Sequence, residues 1–221
     1  MKNINIIFAL VGVATMLLMT NTCQIANADA IPYPNSGIVN PVTYSFTATA
    51  TGNIVAYFAG SSAAFDNVLG LMINGTLSSN GFGLDNHSSA IGASFDLGSV
   101  NAGDTLTFVM KNLDQGFADP CVYSDPSMNV AYDDSGVDNH NHIYSTDYTT
   151  PIAELGSTPK GTYIGFEDLQ FPNSDYNYHD ETFVFTNVAV KTSVVPEPAT
   201  VLGFGIPMLM IGLGKLKSLR N

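Results

Sequence analysis

Apolar and polar residues alternate along several short stretches of this chain. From Val42 to Ala50 every second residue is apolar, and the residues between them are Thr or Ser. A period of two is typical of a strand with one buried face. Less regular runs of the same kind predict further strands over residues 54–59, 68–73, 90–97, 105–110, 162–166 and 182–190, with weaker ones at 122–123 and 128–132.

Turn residues separate these runs, and residues 31–194 show no helical periodicity. The dipeptide Asn74-Gly75 favours a hairpin because both residues tolerate positive φ angles. The polar stretch 133–150 is predicted to form an ordered loop with four apolar or aromatic anchors, Tyr132, Ile143, Tyr144 and Tyr148. Short strands without helices predict an all-β fold for residues 31–194, an antiparallel β-sandwich of the jelly-roll-like kind. The strand order stays open.

The N-terminal segment has the features of a secretory signal peptide. Lys2 precedes a mostly apolar run over residues 4–19, and two overlapping small-residue cleavage patterns end at Ala28 and Ala30. We therefore assign residues 1–30 to a signal peptide that passes through the Sec machinery and is removed by signal peptidase. An uncleaved N-terminal membrane helix is the alternative.

The C-terminal segment 195–221 combines three parts. Pro196-Glu197-Pro198 interrupts any strand, because each proline removes a backbone donor. The run 199–213 is 15 residues without a charge, about 22 Å as a helix, which is short for a hydrocarbon core of roughly 30 Å. A basic end follows, formed by Lys215, Lys217 and Arg220. These parts predict a short single transmembrane helix whose basic end stays in the cytoplasm, with the body of the protein outside.

Residues 195–221 closely resemble the PEP-CTERM sorting signal of Gram-negative bacteria that make extracellular polysaccharide. The resemblance implies an exosortase, a membrane transpeptidase-like cysteine protease, as the partner that cuts near the motif. It also implies a location that is first the inner membrane and then the cell surface or extracellular matrix, among exopolysaccharide and biofilm components. If the segment is instead a plain tail anchor, Pro-Glu-Pro is only a stiff linker.

The predicted body of the protein is strongly acidic. Between residues 31 and 195 there are 17 Asp and Glu but only three Lys, which gives a formal charge of −14. This surface repels phosphate groups, so a nucleic-acid partner is excluded. It attracts cations, and acidic side chains in loops are common calcium ligands. Solvation of an extracellular protein is the alternative reason for the charge.

The densest candidate site lies just before the last predicted strand. It places oxygen-bearing side chains at short intervals: Glu167, Asp168, Asp175, Asn177 and Asp180. Such residues can surround one calcium ion, which takes six to eight oxygen ligands. The spacing is not that of an EF-hand. An Asx-rich turn, whose side chains bond only the backbone, is the alternative interpretation.

The run from Gly165 to Asp180 resembles the Gly-Phe-Glu-Asp … Asp-x-Asp-Tyr-Asn-Asp signature of an exported bacterial β-sandwich domain of unknown function. That domain occurs in surface and adhesin-like proteins and is thought to bind calcium, so the resemblance implies calcium at the five residues above. The chain departs from the signature at Asn177 and His179, and Pro172-Asn173-Ser174 replaces a Gly-Gly pair.

The sequence contains weaker signals for catalysis, for a histidine metal site and for carbohydrate binding. No Gly-x-Ser-x-Gly elbow or recognisable triad order occurs, so we expect a non-enzymatic protein rather than a secreted hydrolase. His140 and His142 indicate either a transition-metal site with another histidine or two solvated side chains. A carbohydrate-binding module for exopolysaccharide is a further hypothesis, based on tyrosines in loop-like stretches: Tyr123, Tyr132, Tyr144, Tyr148, Tyr176 and Tyr178.

Overall fold

The computed structural model describes residues 31–114, 116 and 120–194. Eleven strands follow one another in this part of the chain: β1 (Val42–Ala48), β2 (Gly52–Gly60), β3 (Asn67–Ile73), β4 (Thr76–Leu77), β5 (Ser94–Val100), β6 (Thr105–Asn112), β7 (Cys121–Tyr123), β8 (Ile143–Tyr148), β9 (Gly161–Phe166), β10 (Glu181–Thr186) and β11 (Val188–Val194). The helical elements of the described residues are two single 3-10 turns, Pro126–Met128 and Ala153–Leu155.

The strands form two antiparallel sheets. Sheet 1 has the order β11-β1-β6-β3-β4, and β7 pairs with the part of β6 that β1 leaves open. Sheet 2 has the order β5-β2-β10-β9-β8. Consecutive strands often lie in different sheets, so that the chain crosses between the sheets repeatedly. All strand pairs within the two sheets are antiparallel, which confirms the predicted fold class.

The two sheets pack face to face around one hydrophobic core. The rings of Phe108 in sheet 1 and Phe185 in sheet 2 lie 4.1 Å apart between their centroids. The alternation in β1 has the predicted effect, because Tyr44, Phe46 and Ala48 are buried in this core. A second apolar cluster, which includes Val184, covers the other face of β10. Strand β10 is therefore buried on both faces, and its inner face starts at Glu181.

Several strand predictions need correction. The predicted strand 182–190 is two strands in different sheets, separated at Asn187, whose φ of 64° turns the chain. The predicted loop 133–150 contains β8, and the weak strand 128–132 is instead the end of a 3-10 turn followed by further turns. The predicted strand 90–97 begins later, as β5.

The two terminal segments lie outside the described residues. The signal peptide 1–30 and its helix, the Pro196-Glu197-Pro198 motif, the transmembrane helix and the basic residues Lys215, Lys217 and Arg220 belong to them. Within the described residues, no helix has the length and apolar character that a membrane crossing requires.

Candidate metal centre

The connection between β9 and β10 carries the candidate site at one end of the sandwich. Strand β9 ends at Phe166, so Glu167 and Asp168 directly follow it, and Asp180 directly precedes β10. The Asp180 amide donates to the Phe166 carbonyl at 3.1 Å, and the Glu167 amide donates to the His142 carbonyl at 3.0 Å. These backbone bonds hold the three acidic residues beside one another on neighbouring strands.

Gly165 allows the connection to fold back closely on β9. A Cβ atom at this position would lie 2.1 Å from the carbonyl oxygen of Tyr178. Any side chain would therefore push Tyr178 and the following residues away from β9. The close approach positions the amides of Asn177 and Tyr178 to donate to Glu167 Oε2, at 3.2 and 3.4 Å.

Three carboxylates meet at this point. One carboxylate oxygen from each of Glu167, Asp168 and Asp180 lies within 4.8 Å of the other two. Two oxygens on opposite sides of a calcium ion, each about 2.4 Å from it, are about 4.8 Å apart. The separation therefore fits ligands of a single ion. The three residues are at most 9% exposed, so water does not solvate their charges.

Burial changes the acidity of these groups. Burial raises the pKa of Glu167 to about 7. Burial and then the negative charge of Asp180 raise the pKa of Asp168 to about 7. Burial and then the charge of Glu167 raise the pKa of Asp180 to about 8. Without a cation, the cluster therefore retains protons near neutral pH, because burial disfavours the charged forms and a neighbouring carboxylate adds to this for Asp168 and Asp180.

The remaining two predicted ligands lie at the rim of the site. Asp175 is exposed and accepts a hydrogen bond from the Asn177 side-chain amide. Asn177 Oδ1 accepts from the His179 amide at 3.1 Å, which is an Asx turn. The structure thus brings three of the five predicted side chains together, and it shows the alternative Asx-turn bonding at Asn177.

Sequence reasoning did not assign Asn67 and Glu181 to this region. Asn67, the first residue of β3, donates from Nδ2 to Asp168 Oδ2 at 2.8 Å. Glu181, the first residue of β10, is completely buried. Glu181 pairs across the strands with Phe166 of the core, so its side chain lies on the inner face of sheet 2. Its position two residues before Phe183, in an alternating strand, is a signal that the sequence already contained.

Asp133 and His142 form a buried pair beside the cluster; the sequence singled out His142 but did not pair it with Asp133. His142 Nε2 contacts Asp133 Oδ1 at 2.9 Å, and its Nδ1 contacts the Glu167 carbonyl at 2.9 Å. The ring of His142 therefore links the Asp133 carboxylate to the backbone at Glu167. Burial acts to raise the pKa of Asp133, but the bonds and charge of His142, with the Phe171 amide and His140, lower that pKa overall.

Several buried oxygens in this region have no hydrogen-bond partner among the described residues. They are Glu167 Oε1, Asn67 Oδ1 and both carboxylate oxygens of Glu181. Buried polar atoms are normally paired, since each unpaired one costs about 1–3 kcal/mol. Unpaired oxygens beside three clustered carboxylates fit a hard cation that accepts only oxygen ligands.

Two expectations about other residues are corrected by the structure. His142 is fully buried, and His140 contacts Asp133 at 2.7 Å, so neither is a simply solvated side chain. Three of the tyrosines proposed for sugar stacking, Tyr132, Tyr148 and Tyr178, are at most 3% exposed. Buried rings cannot stack on a carbohydrate, and the carbohydrate hypothesis therefore loses half of its candidates.

Comparisons with known proteins identify no relative: no family model, no curated protein and no solved structure matches this chain.

Proposed function

We propose that this protein is an exported, non-enzymatic β-sandwich whose β9–β10 connection is stabilised by a bound calcium ion. The observation that carries the proposal is the buried cluster of Glu167, Asp168 and Asp180, with an unpaired oxygen at Glu167. A buried cluster of like charges destabilises a fold unless protons or a cation neutralise it. A cation would do so at the pH of most extracellular environments.

Calcium is the cation that best matches this ligand set. The cluster offers oxygen atoms only, whereas zinc prefers nitrogen and sulfur ligands. Magnesium needs near-ideal octahedral geometry and keeps several water molecules, which the burial of all three carboxylates opposes. Asp168 would join the ion to Asn67 of sheet 1, so that the ion would tie the two sheets together at one end.

The role that follows is structural. The three carboxylates are mutual neighbours without a nucleophile among them, and the arrangement therefore supports rigidity rather than catalysis. The acidic body, the N-terminal signal peptide and the Pro196-Glu197-Pro198 tail together support a surface or matrix location reached through an exosortase. Exopolysaccharide is the environment that this location implies.

The calcium proposal predicts a cation-dependent melting temperature. We expect calcium at a hundredfold excess over its Kd to raise the Tm of the full chain by about 5–10 °C, since binding at this ratio contributes about 2.7 kcal/mol. The measurement is differential scanning calorimetry of the full chain, in mild detergent that keeps both apolar termini in solution, with calcium and after removal of divalent cations.

A matched pair of variants tests the location of the ion. Asp180→Asn should abolish most of the calcium-dependent increase, because it removes one ligand charge from the cluster. Glu154→Gln removes the same charge at an exposed position and should retain the full increase. An equal Tm with and without calcium in the unaltered chain would contradict the proposal, and a similar gain with magnesium would exclude calcium selectivity.

The sorting proposal has its own prediction. In a Gram-negative host that encodes an exosortase, we expect the full chain to leave the membrane fraction, and replacement of Pro196, Glu197 and Pro198 by Ala to retain it there. Fractionation followed by immunoblotting measures this difference. Equal release of both forms would show that the motif is only a linker.

A further inference from the structure

Glu181 contributes a buried carboxylate that the proposed calcium site does not use. It is 0% exposed, and neither of its carboxylate oxygens has a hydrogen-bond partner among the described residues. It also lies outside the cluster of Glu167, Asp168 and Asp180, whose oxygens are all within 4.8 Å of one another. An ion held by these three residues at about 2.4 Å therefore does not also reach Glu181 in this arrangement.

Asn67 brings a third unpaired oxygen to the same end of the sandwich. Asn67 and Leu69 alternate on the inner face of β3, and Glu181 and Phe183 alternate on the inner face of β10. The side chains of Asn67 and Glu181 thus enter the space between the sheets from opposite sides. Asp168 is close to both, because it accepts from Asn67 Nδ2 and its charge acts on Glu181.

Asp85 adds a negative charge near Glu181. Among the charges that act on Glu181, that of Asp85 is the largest. The Asp85 carboxylate is held in place by the amides of His87 and Ser88, which donate to Oδ1 at 3.0 and 2.9 Å. The adjacent Asn86 exchanges backbone and side-chain hydrogen bonds with Asn67. These contacts hold Asp85 near Asn67, the first residue of β3.

We propose that the site is binuclear, with a second divalent cation bound by the carboxylate of Glu181 and by Asn67 Oδ1, next to Asp85 and Asp168. This inference rests on the proposed function, because Asp168 lies between the two ions. The second ion supplies the partners that three buried oxygens otherwise lack. It also places a cation directly between β3 of sheet 1 and β10 of sheet 2, whereas the first ion reaches sheet 1 only through the bond between Asp168 and Asn67.

The number of bound ions tests the proposal. Isothermal titration of the cation-free full chain in detergent with calcium chloride should give two ions per chain with Kd below about 1 mM. Glu181→Gln should reduce the number to one, because the amide keeps the shape of the side chain but loses its charge. Glu154→Gln, at an exposed position, should retain two.

The possible outcomes separate this proposal from the preceding one. One ion in the unaltered chain, unchanged in Glu181→Gln, would overturn the second ion and leave the first intact. No bound ion would overturn both. Two ions in both Glu181→Gln and Glu181→Leu would show that Glu181 is not a ligand. The Leu variant removes an unpaired buried polar group from an apolar strand, so it should fold without calcium and still bind a single ion.

Discussion

Without divalent cations, the full chain is expected to lose stability as the pH rises from about 5 to about 8. The pKa values of Glu167 and Asp168 are raised to about 7 and that of Asp180 to about 8, from ordinary values of 4.5 for Glu and 3.8 for Asp. In this range the folded protein holds protons that the unfolded chain releases, so the free energy of unfolding falls with rising pH. The loss is on the order of several kcal/mol, because one pKa unit corresponds to about 1.4 kcal/mol.

Calcium should remove this pH dependence. A bound cation takes the place of the protons, so the carboxylates ionise in the folded state as well, and the calcium-dependent increase in Tm should grow with pH. The measurement is Tm against pH in chelator-treated and calcium-saturated samples. Asp133 does not disturb the result, since its pKa is lowered and its stabilising effect is lost only in more acidic solution.

The Asp180→Asn variant provides the control for the pH experiment. It removes the group with the highest pKa in the cluster, so its stability without calcium should depend less on pH than that of the unaltered chain. His87 titrates in the same range and in the same direction, because a backbone bond to Ala63 and its contact with Asp66 raise its pKa. His87 is present in both proteins, and its effect cancels in the comparison. A cation-free chain whose stability is constant or rises between pH 5 and 8 would contradict the protonated cluster.

The regular alternation of apolar residues made much of this fold predictable. Strand β1 has a buried residue at every second position from Tyr44, as its sequence indicates. Strand β8 was missed because its middle is Ser145, Thr146 and Asp147, residue types that also occur in loops. The boundary between β10 and β11 was missed because Asn187 interrupts an otherwise continuous β-like run with a single positive φ angle.

The candidate site was predictable only where its residues are neighbours in the sequence. Glu167, Asp168 and Asp180 belong to one connection, and their proximity follows from the pairing of β9 with β10. Asn67 contacts Asp168, which lies 101 residues later in the chain. Asp133 contacts His142, whose ring also contacts the carbonyl of Glu167, 34 residues after Asp133. Contacts of this kind depend on how the sheets pack, which no local pattern encodes.

The buried pair of Asp133 and His142 should make one of the largest single contributions to stability. We expect Asp133→Asn to lower the free energy of unfolding by about 3–5 kcal/mol, because it removes the carboxylate that pairs with the ring of His142 in a fully buried position. The change also weakens the bond from the Phe171 amide to Asp133 Oδ1, which is 2.8 Å long. Urea unfolding of the cation-free chain, followed by circular dichroism, measures the effect.

The neighbouring residue offers a matched control for this variant. Asp134→Asn removes the same charge one position further along, at an exposed side chain, and should change the free energy of unfolding by less than about 0.5 kcal/mol. The double variant Asp133→Asn/His142→Gln should recover part of the loss, because no unpaired charge remains buried once both members of the pair are neutral. If Asp133→Asn is no more destabilising than Asp134→Asn, the pair of Asp133 and His142 does not hold the loop 133–142 against the Glu167 carbonyl. The metal centre would then be supported by the Asx turn and the strands alone.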